Sequence, residues 1–304
     1  MLFKIIMENS SIDGFSVLLC QTCPIPAKVK LGCMCPEMTN NWRKKEKMKI
    51  AAIASGSNGN CYYIENGDDA VLVDSGISAG QIVERMNRLG LNLSKLRGVF
   101  ISHEHTDHIR GIDVLSRNYA IPVFMTKKTY EAYAGSIANE RLSFFSPGNP
   151  LSLGNLSVHP FLKSHDAVEP CGFSISSGGK NVAVLTDIGL ECENVIAHLR
   201  NADAVFLESN YDDDMLQAGD YAPHLKKRIA SDAGHLSNTQ AALLAVKHAS
   251  PRLKHVFLSH LSGNNNTPEI ALTTFQHFIT QRKDLKPEVI LTSREKESVL
   301  VCLD

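Results

Sequence analysis

Short stretches of alternating or continuous apolar residues recur from Met48 onward and predict a chain rich in β-strands. The first three expected strands are separated by a Gly/Ser/Asn-rich turn at 55–60 and a shorter polar break, which together predict a β-meander. The expected strands are 48–54, 61–64, 70–73, 98–102, 121–125, 156–161, 172–176, 182–186, 204–207, 256–259 and 289–292.

Longer stretches with helical spacing lie between these strands. Ser78 can cap a helix whose apolar face carries Ile82, Met86 and Leu89, and Gly90 is a typical residue for its end. A strand-rich chain with interspersed helices is typical of a layered α/β sandwich. Further helices are expected near 127–137, 190–200, 237–249 and 268–281.

The first 47 residues show neither the alternation of a strand nor the spacing of a helix, and they end in a charged run at 43–47. We therefore predict that residues 1–47 are an extension outside the fold and that residues 48–304 form one domain. One interpretation of the extension is a small metal knuckle built from Cys20, Cys23, Cys33 and Cys35. The favoured interpretation is that residues 1–47 are translated from a wrong start and that Met48 is the true start. Met48 begins the first strand, and the Lys and Glu codons before it are purine-rich, as a ribosome-binding site would be.

Composition narrows the class of protein without choosing a substrate. With 304 residues and 43% hydrophobic residues, the chain can bury a continuous core. The 31 basic and 32 acidic residues nearly cancel, so a nucleic-acid substrate would have to be held by a local patch. No apolar stretch approaches the roughly 18 residues of a membrane-spanning helix. Single, scattered cysteines after residue 60 suit a reducing compartment, so we expect a soluble cytoplasmic protein.

The sequence Ser-His-Glu-His-Thr-Asp-His at 102–108 directly follows a predicted strand. A rigid element often passes into a functional loop at such a point. The run contains four side chains that can bind metal: His103, His105, Asp107 and His108. Burying all four without partners would cost too much free energy for the cluster to be purely structural. The run therefore predicts a metal centre.

This run resembles the signature of the metallo-β-lactamase superfamily, His-x-His-x-Asp-His after a strand. The resemblance covers about residues 48–300 and implies an α/β fold, a four-layer αββα sandwich with the site along one edge of the paired sheets. It also implies three further metal ligands, among them Asp187 as a carboxylate that bridges two metal ions. Asp74 is implied to brace the loop at 102–108, called the metal loop below, without binding metal itself. The implied ligand set is His103, His105, Asp107, His108, His165, Asp187 and His260.

The resemblance implies a hydrolase with two divalent metal ions per chain. These ions would bridge a water molecule, lower its pKa to give hydroxide near neutrality and polarise the scissile group. Asp107 is expected to orient that hydroxide. Imidazole and carboxylate ligands suit zinc, manganese or iron, so the metal stays open.

Departures within the motifs bear on the substrate. β-Lactamases usually have a cysteine where Asp187 stands, which disfavours that activity. The motifs at 208–212, 234–238 and 260–265 resemble the YycJ/WalJ exonuclease-like group, similar to the nuclease branch that processes transfer-RNA 3′ ends. The resemblance implies a 5′-exonuclease-like phosphodiesterase on single-stranded DNA or a similar polynucleotide. In it, Glu208 and His235 match a pair that acts on the scissile phosphate or the leaving group, with Glu208 orienting the imidazole.

Substrate is expected to lie in an open, shallow groove, because Asp187 and His260 are only 73 positions apart and leave no room for a large inserted cap domain. The alternative is a glyoxalase II-like hydrolase of thioesters or other small esters, although residues 268–304 offer only one helix and a closing strand for a glutathione site. A metal-bound scaffold or sensor is a third interpretation, which the intact ligands disfavour. Candidate substrate contacts are Ser57, Asn58, Asn210, Tyr211, Lys226, Arg228, Ser237, Asn264 and Asn265.

Overall fold

The structure, a computed structural model, describes residues 11–12, 15–16 and 47–304, and the part from residue 47 onward is one compact unit. Before it, β1 (Ser11–Ile12) and β2 (Phe15–Ser16) pair antiparallel. The four cysteines of the predicted knuckle lie outside the described residues.

The strands of the compact unit follow the predicted pattern closely, since each apolar stretch named above falls on or within two residues of an observed strand. The strands are β3 (Met48–Ala54), β4 (Cys61–Asn66), β5 (Asp69–Val73), β6 (Leu96–Phe100), β7 (Val123–Met125), β8 (Leu142–Phe144), β9 (Leu151–Leu153), β10 (Leu156–Leu162), β11 (Cys171–Ser177), β12 (Lys180–Leu185), β13 (Ala204–Glu208), β14 (His255–Ser259), β15 (Glu288–Leu291) and β16 (Val301–Leu303).

These strands form two seven-stranded sheets. The first has the order β16-β3-β4-β5-β6-β7-β8, with the predicted meander of β3, β4 and β5 antiparallel and β5 to β8 parallel. The second has the order β15-β14-β13-β12-β11-β10-β9, and β12 to β15 are parallel neighbours. Four parallel strands therefore point their carboxyl ends at one edge of the second sheet.

Helices cover the outer face of each sheet. Ser78 caps the first of them through a capping box with Gln81, as the start signal predicted. The helix expected at 127–137 ends at Ala132, where the backbone of Tyr133 turns extended and its hydroxyl bonds Asp113. Within the described part of the chain, no helix is long and apolar enough to cross a bilayer. The helices are α1 (Ala79–Arg88), α2 (Thr106–Ile109), α3 (Ile112–Tyr119), α4 (Lys127–Ala132), α5 (Glu193–Arg200), α6 (Asp213–Ala218), α7 (Pro223–Ile229), α8 (Asn238–His248) and α9 (Pro268–Ile279).

Three apolar layers hold the unit together. Between the sheets, buried aromatic rings meet, with the Tyr62 and Phe206 ring centroids 4.8 Å apart and those of Phe206 and Phe257 4.6 Å apart. On the outer faces, α1 and α3 pack on the first sheet, and α5, α8 and α9 pack on the second. Each such buried side chain contributes about 1.5–3 kcal/mol to folding. The result is an αββα sandwich, which fixes the strand ends rigidly relative to one another.

Candidate metal centre

The seven predicted metal ligands converge at one edge of the two sheets. They lie just after β6, β10, β12 and β14, and Asp107 and His108 fall within the short helix α2. Within each of several groups, the candidate ligand atoms all lie within 4.8 Å of one another. These groups are His103, His105 and His165; His103, His108 and Asp187; Asp107, His108 and His260; and Asp187, Glu208, His235 and His260.

Three histidines form one half of the site. The Nε2 atom of His103 lies 3.0 Å from Nδ1 of His105. The ring of His165 lies 5.0 Å from that of His103 and 5.2 Å from that of His105, measured between centroids. This half therefore presents three imidazoles to a common point.

The second half combines Asp107, His108 and His260. The Oδ2 atom of Asp107 lies 3.4 Å from Nε2 of His108 and 3.6 Å from Nε2 of His260. Asp187 reaches both halves, since Oδ1 is 3.8 Å from Nε2 of His165 and Oδ2 is 3.4 Å from Nε2 of His108. A carboxylate in this position can bridge two ions.

Several of these atoms are buried and lack a hydrogen-bond partner within residues 47–304: Nε2 of His165, Oδ2 of Asp187 and Nε2 of His260. A buried polar atom without a partner is costly, so such atoms call for a ligand. The ring of His165 also faces the carbonyl of Gly234 through Nδ1 at 3.1 Å, which directs Nε2 into the site. Nitrogen and carboxylate donors in this arrangement fit divalent cations.

The backbone is left-handed at three of the residues around the site. The φ angles are 62° at Asp74, 54° at Asp187 and 57° at His260. This conformation is uncommon for residues other than glycine and costs about 1–3 kcal/mol, and it recurs at functional sites. It turns each chain sharply after its strand and brings the side chain to the sheet edge.

Asp74 supports the metal loop and does not face the cleft. Its carboxylate is fully buried and accepts hydrogen bonds from the backbone N–H of Ser102 at 2.8 Å and the Ser102 hydroxyl at 2.9 Å. Nδ1 of His108 lies 2.8 Å from the same carboxylate. This contact holds the proton on Nδ1 and leaves Nε2 to face the ligand cluster. Gly76 lets the Asp74 loop reach the metal loop, since a Cβ there would lie 1.6 Å from the carbonyl of Asp107.

Glu208 lies beneath the site with its side chain fully buried. Its carboxylate accepts hydrogen bonds from the backbone N–H groups of Asp187 at 3.1 Å, Ile188 at 2.7 Å and Leu236 at 3.1 Å. The residue thereby ties together the loop that carries Asp187 and the loop that carries His235.

The same carboxylate contacts two imidazoles. Nδ1 of His235 is 2.8 Å from Oε1 of Glu208, and Nδ1 of His260 is 2.9 Å from it. Burial opposes the charged carboxylate, but the charges and hydrogen bonds of the two histidines outweigh it and lower the pKa of Glu208 to about 2. His235 keeps 21% of its side chain exposed and lines the cleft, with Nε2 as its available ring nitrogen.

The buried carboxylates also act on the histidines of the second half. Burial alone would lower the pKa of His260, but Asp187 and then Asp107 and Glu208 raise it to about 10. The pKa of His108 is likewise raised, against burial, by the charges of Asp187, Asp74 and Asp107. Both histidines therefore bind a proton more tightly than a free imidazole does.

Asn60, which the sequence assigned to a turn, lies at the centre of the contacts around Asp107. Its amide nitrogen is 3.3 Å from Oδ2 of Asp107 and 3.3 Å from Nε2 of His108. Its backbone accepts from the N–H of Gly76, and its N–H donates to the Asp107 carbonyl at 2.8 Å. The position of Asn60 within a Gly-rich turn was its only sequence signal.

Lys163 is a second residue beyond the predicted set. Its side chain is 1% exposed, and its ammonium donates to the carbonyl of Thr186 at 2.5 Å and lies 3.9 Å from Oδ2 of Asp187. A buried cation here offsets part of the negative charge gathered around Asp187. A charged residue at the end of a buried strand, two positions before a ligand, was the available signal.

The predicted substrate contacts fall into two sets. Ser57 and Arg228 line the cleft, and the guanidinium of Arg228 pairs with Asp166 at its rim. Asn58 is exposed beside Ser57, and the ammonium of Lys226 donates to the carbonyl of Gln217 at 2.6 Å. The cleft as a whole is lined by Ser57, His105, Asp107, His165, Asp166, Asp187, Arg228, His235 and His260.

The other candidates are mostly turned into the protein. The Asn210 amide donates to the His260 carbonyl at 2.8 Å, and the Ser237 hydroxyl caps α8. Tyr211 and Asn265 are buried as well. Asn264 is exposed and donates to the Tyr221 hydroxyl at 2.9 Å. Asn210 and Ser237 therefore stabilise the loops of the site through these contacts.

Comparison with known proteins places this geometry in a family context. The metallo-β-lactamase superfamily description matches residues 54–260. The exodeoxyribonuclease YycJ of Bacillus anthracis is 34% identical over 238 residues, covering 77% of this chain and 90% of the relative. The exodeoxyribonuclease WalJ of Streptococcus pneumoniae is 34% identical over 77% of this chain and 88% of its own. In fold, the metallo-β-lactamase fold protein YhfI of Bacillus subtilis superposes with a TM-score of 0.65 and 19% identity, covering 84% of this chain and 99% of that one.

Proposed function

Because the chain belongs to the metallo-β-lactamase superfamily, we propose that it is a dinuclear metal-dependent phosphodiesterase that acts as an exonuclease on single-stranded DNA or a similar polynucleotide. The observation that carries the proposal is the His235–Glu208 pair at the cleft, beside the ligand cluster. The exodeoxyribonuclease names of the two relatives support the choice of substrate.

The residues of the site divide naturally between two ions. His103, His105 and His165 would hold one, and Asp107, His108 and His260 the other, with Asp187 between them. Bound divalent ions would supply an activated water molecule and would neutralise charge on the phosphodiester. Zinc and manganese both suit these donors.

Asp107 is suited to orient the attacking water. Its side chain is 22% exposed and lines the cleft, while its Oδ2 atom is held by the amide of Asn60. A carboxylate that is fixed on one side and open on the other can accept a hydrogen bond from water in one direction.

His235 is suited to assist the leaving oxygen. Its ring lies 5.1 Å from the rings of both His165 and His260, so it faces the same space as the ligands. The contact between Nδ1 and the carboxylate of Glu208 fixes the ring and leaves Nε2 facing the cleft, from where it can donate a proton to the leaving oxygen as the P–O bond breaks. A positioned general acid of this kind contributes about 10²–10⁴-fold to the rate.

The test uses purified protein, end-labelled single- and double-stranded DNA and RNA, and added manganese or zinc. We expect stepwise release of nucleotides from the 5′ end of single-stranded DNA. His235→Ala should keep its metal content and melting temperature but lose about 10²–10⁴-fold in turnover. His277→Ala, a change at an exposed histidine of α9, serves as the matched control.

Two outcomes would contradict the proposal. Wild-type rates of DNA cleavage by His235→Ala would remove the role of His235. Hydrolysis of a glutathione thioester without cleavage of any polynucleotide would replace the nuclease by the glyoxalase II-like alternative.

A further inference from the structure

We propose that Arg294 binds a second phosphate of the polynucleotide, next to the phosphodiester held at the metal centre. This inference rests on the proposed nuclease function and specifies how the site recognises its substrate. Arg294 does not belong to the ligand cluster, to the His235–Glu208 pair or to the substrate contacts predicted from the sequence.

The fold brings Arg294 to the edge of the sheet that carries the metal centre. In the parallel strands β12, β13, β14 and β15, Leu185, Leu207, Leu258 and Leu291 are successive register partners. The first three strands are followed by, or end in, Asp187, Glu208 and His260. In open α/β sheets, ligands bind outside the carboxyl ends of parallel strands. The segment after β15, which contains Arg294, is the next one along this edge.

A chain of hydrogen bonds connects this segment to a metal ligand. The carbonyl of Ser293 accepts from the N–H of Ser55 at 3.0 Å, and the hydroxyl of Ser55 accepts from the N–H of His260 at 2.8 Å. The buried guanidinium of Arg85 donates to the carbonyls of Arg294 at 3.2 Å and Glu295 at 2.8 Å. The backbone of Arg294 is therefore held in a fixed place.

The side chain of Arg294 packs between two glycines of the loops around the site. A Cβ added to Gly56 would lie 3.3 Å from Cβ of Arg294, and one added to Gly263 would lie 2.2 Å from its Nη1 atom. Gly56 immediately precedes Ser57, which lines the cleft, and Gly263 immediately precedes the exposed Asn264. The Arg294 side chain thus lies between two polar loops, one of which contributes Ser57 to the cleft lining.

The charge of Arg294 has no partner in the part of the chain that the structure describes, since no carboxylate oxygen lies within 4.0 Å of its guanidinium. Its hydrogen bond runs from Nη2 to the carbonyl of Leu261 and is long, at 3.4 Å. By contrast, Arg88 pairs with Glu297 and Arg228 pairs with Asp166. Most of the five N–H donors of Arg294 are therefore free to bind an anion.

A phosphate is the anion that suits this position. The planar guanidinium matches two phosphate oxygens at once, and phosphate contacts usually fix the register of a nucleic acid on a protein. A polynucleotide with one phosphodiester at the metal centre necessarily presents its next phosphate one nucleotide away. Because the overall charge of the chain is near zero, attraction for the strand has to come from local cations, and Arg294 is one of them.

The experiment compares Arg294→Gln with wild type on oligothymidylate, which excludes recognition of guanine by arginine. We expect the KM to rise by about 10-fold or more while kcat stays unchanged, because a charge-assisted contact is lost from binding. The slope of log Kd against log salt, from fluorescence anisotropy with labelled oligothymidylate, should fall by about 0.7. Hydrolysis of bis(p-nitrophenyl) phosphate, which has no neighbouring phosphate, should not change. Arg252→Gln is the matched control, since Arg252 precedes β14 at the opposite end of the strand and pairs with Asp203.

Substrates with a 5′-phosphate and a 5′-hydroxyl distinguish the two sources of the phosphate. A loss confined to the 5′-phosphorylated strand assigns Arg294 to the terminal phosphate, and an equal loss on both assigns it to an internal one. Equal losses on oligothymidylate and bis(p-nitrophenyl) phosphate, or a lower melting temperature with no change in salt slope, would make Arg294 merely structural and overturn the proposal. If wild type cleaves no oligonucleotide, the nuclease function fails, and anisotropy alone decides: equal affinities for wild type and Arg294→Gln would overturn the role of Arg294.

Discussion

Replacing Asp74 by asparagine should weaken metal binding at His108 while leaving the fold intact. Asparagine has nearly the same shape and tolerates the left-handed backbone at this position, where φ is 62°. If its amide oxygen keeps the bond from the N–H of Ser102, its NH₂ group must face the Ser102 hydroxyl and Nδ1 of His108. Nδ1 would then have to accept a hydrogen bond, which moves the ring proton to Nε2.

The size of the effect follows from this change of tautomer. Nε2 of His108 is the atom that lies 3.4 Å from both Asp107 and Asp187, and a protonated Nε2 has no lone pair for a metal ion. Loss of such a supporting contact typically lowers metal affinity by about 10–100-fold. In free energy this corresponds to about 1.4–2.7 kcal/mol. His103, His105 and His165, which form the other half of the site, do not contact Asp74 directly. The ion that these three histidines would hold should therefore bind nearly as in wild type.

Titration of the metal-free protein against a fluorescent zinc chelator measures both affinities. Asp69→Asn is a matched control, because Asp69 is a buried aspartate at the other end of β5 that accepts from the N–H of Asn155 and pairs with Arg97. Two unchanged affinities in Asp74→Asn, or the same loss in Asp69→Asn, would refute the tautomer argument.

Three further outcomes follow from the site and the fold. Asp187→Ala should lose both ions and turnover, because Asp187 contacts both halves; metal content unchanged by elemental analysis would remove it from the bridging position. The raised pKa values of His108 and His260 keep both histidines protonated in the metal-free protein, so metal binding at pH 7 should release protons. The affinity for metal should therefore rise as the pH increases toward about 10 and fall on acidification. Calorimetry in two buffers of different ionisation enthalpy checks this, and no proton release would contradict it. A chain that begins at Met48 should match the full chain in melting temperature and turnover, because β3 begins there; a large decrease, or loss of bound zinc, would show that the preceding segment is a module of its own.

The sequence predicts the strands well because strand formation depends on local patterns, and the structure brings the seven predicted ligands together at one edge. Buried strands read as apolar stretches, and the ligands lie at strand ends, where parallel strands share an edge. Asn60 and Lys163 escaped this reasoning because their roles come from contacts made in the folded chain: Asn60 meets Asp107 across 47 positions. The same limit applies to Tyr211 and Asn265, whose polar motifs predicted exposure but whose side chains fold inward. The pattern of apolar residues predicts where the strands lie, whereas the packing of the loops determines which polar side chains reach the cleft.

The left-handed backbone at Asp187 limits which ligands could be exchanged there. A cysteine at this position would resemble a β-lactamase ligand in chemistry, but cysteine rarely adopts a φ near the observed 54°, whereas aspartate and asparagine do so several times more often than other residues. The ammonium of Lys163 beside this position would stabilise a thiolate as it does a carboxylate, so the obstacle is the backbone and not the charge. Conversion of this centre to a thiolate-bearing one therefore requires rebuilding the turn after β12, so redesign of the active site should begin with the loop backbone before the side chain.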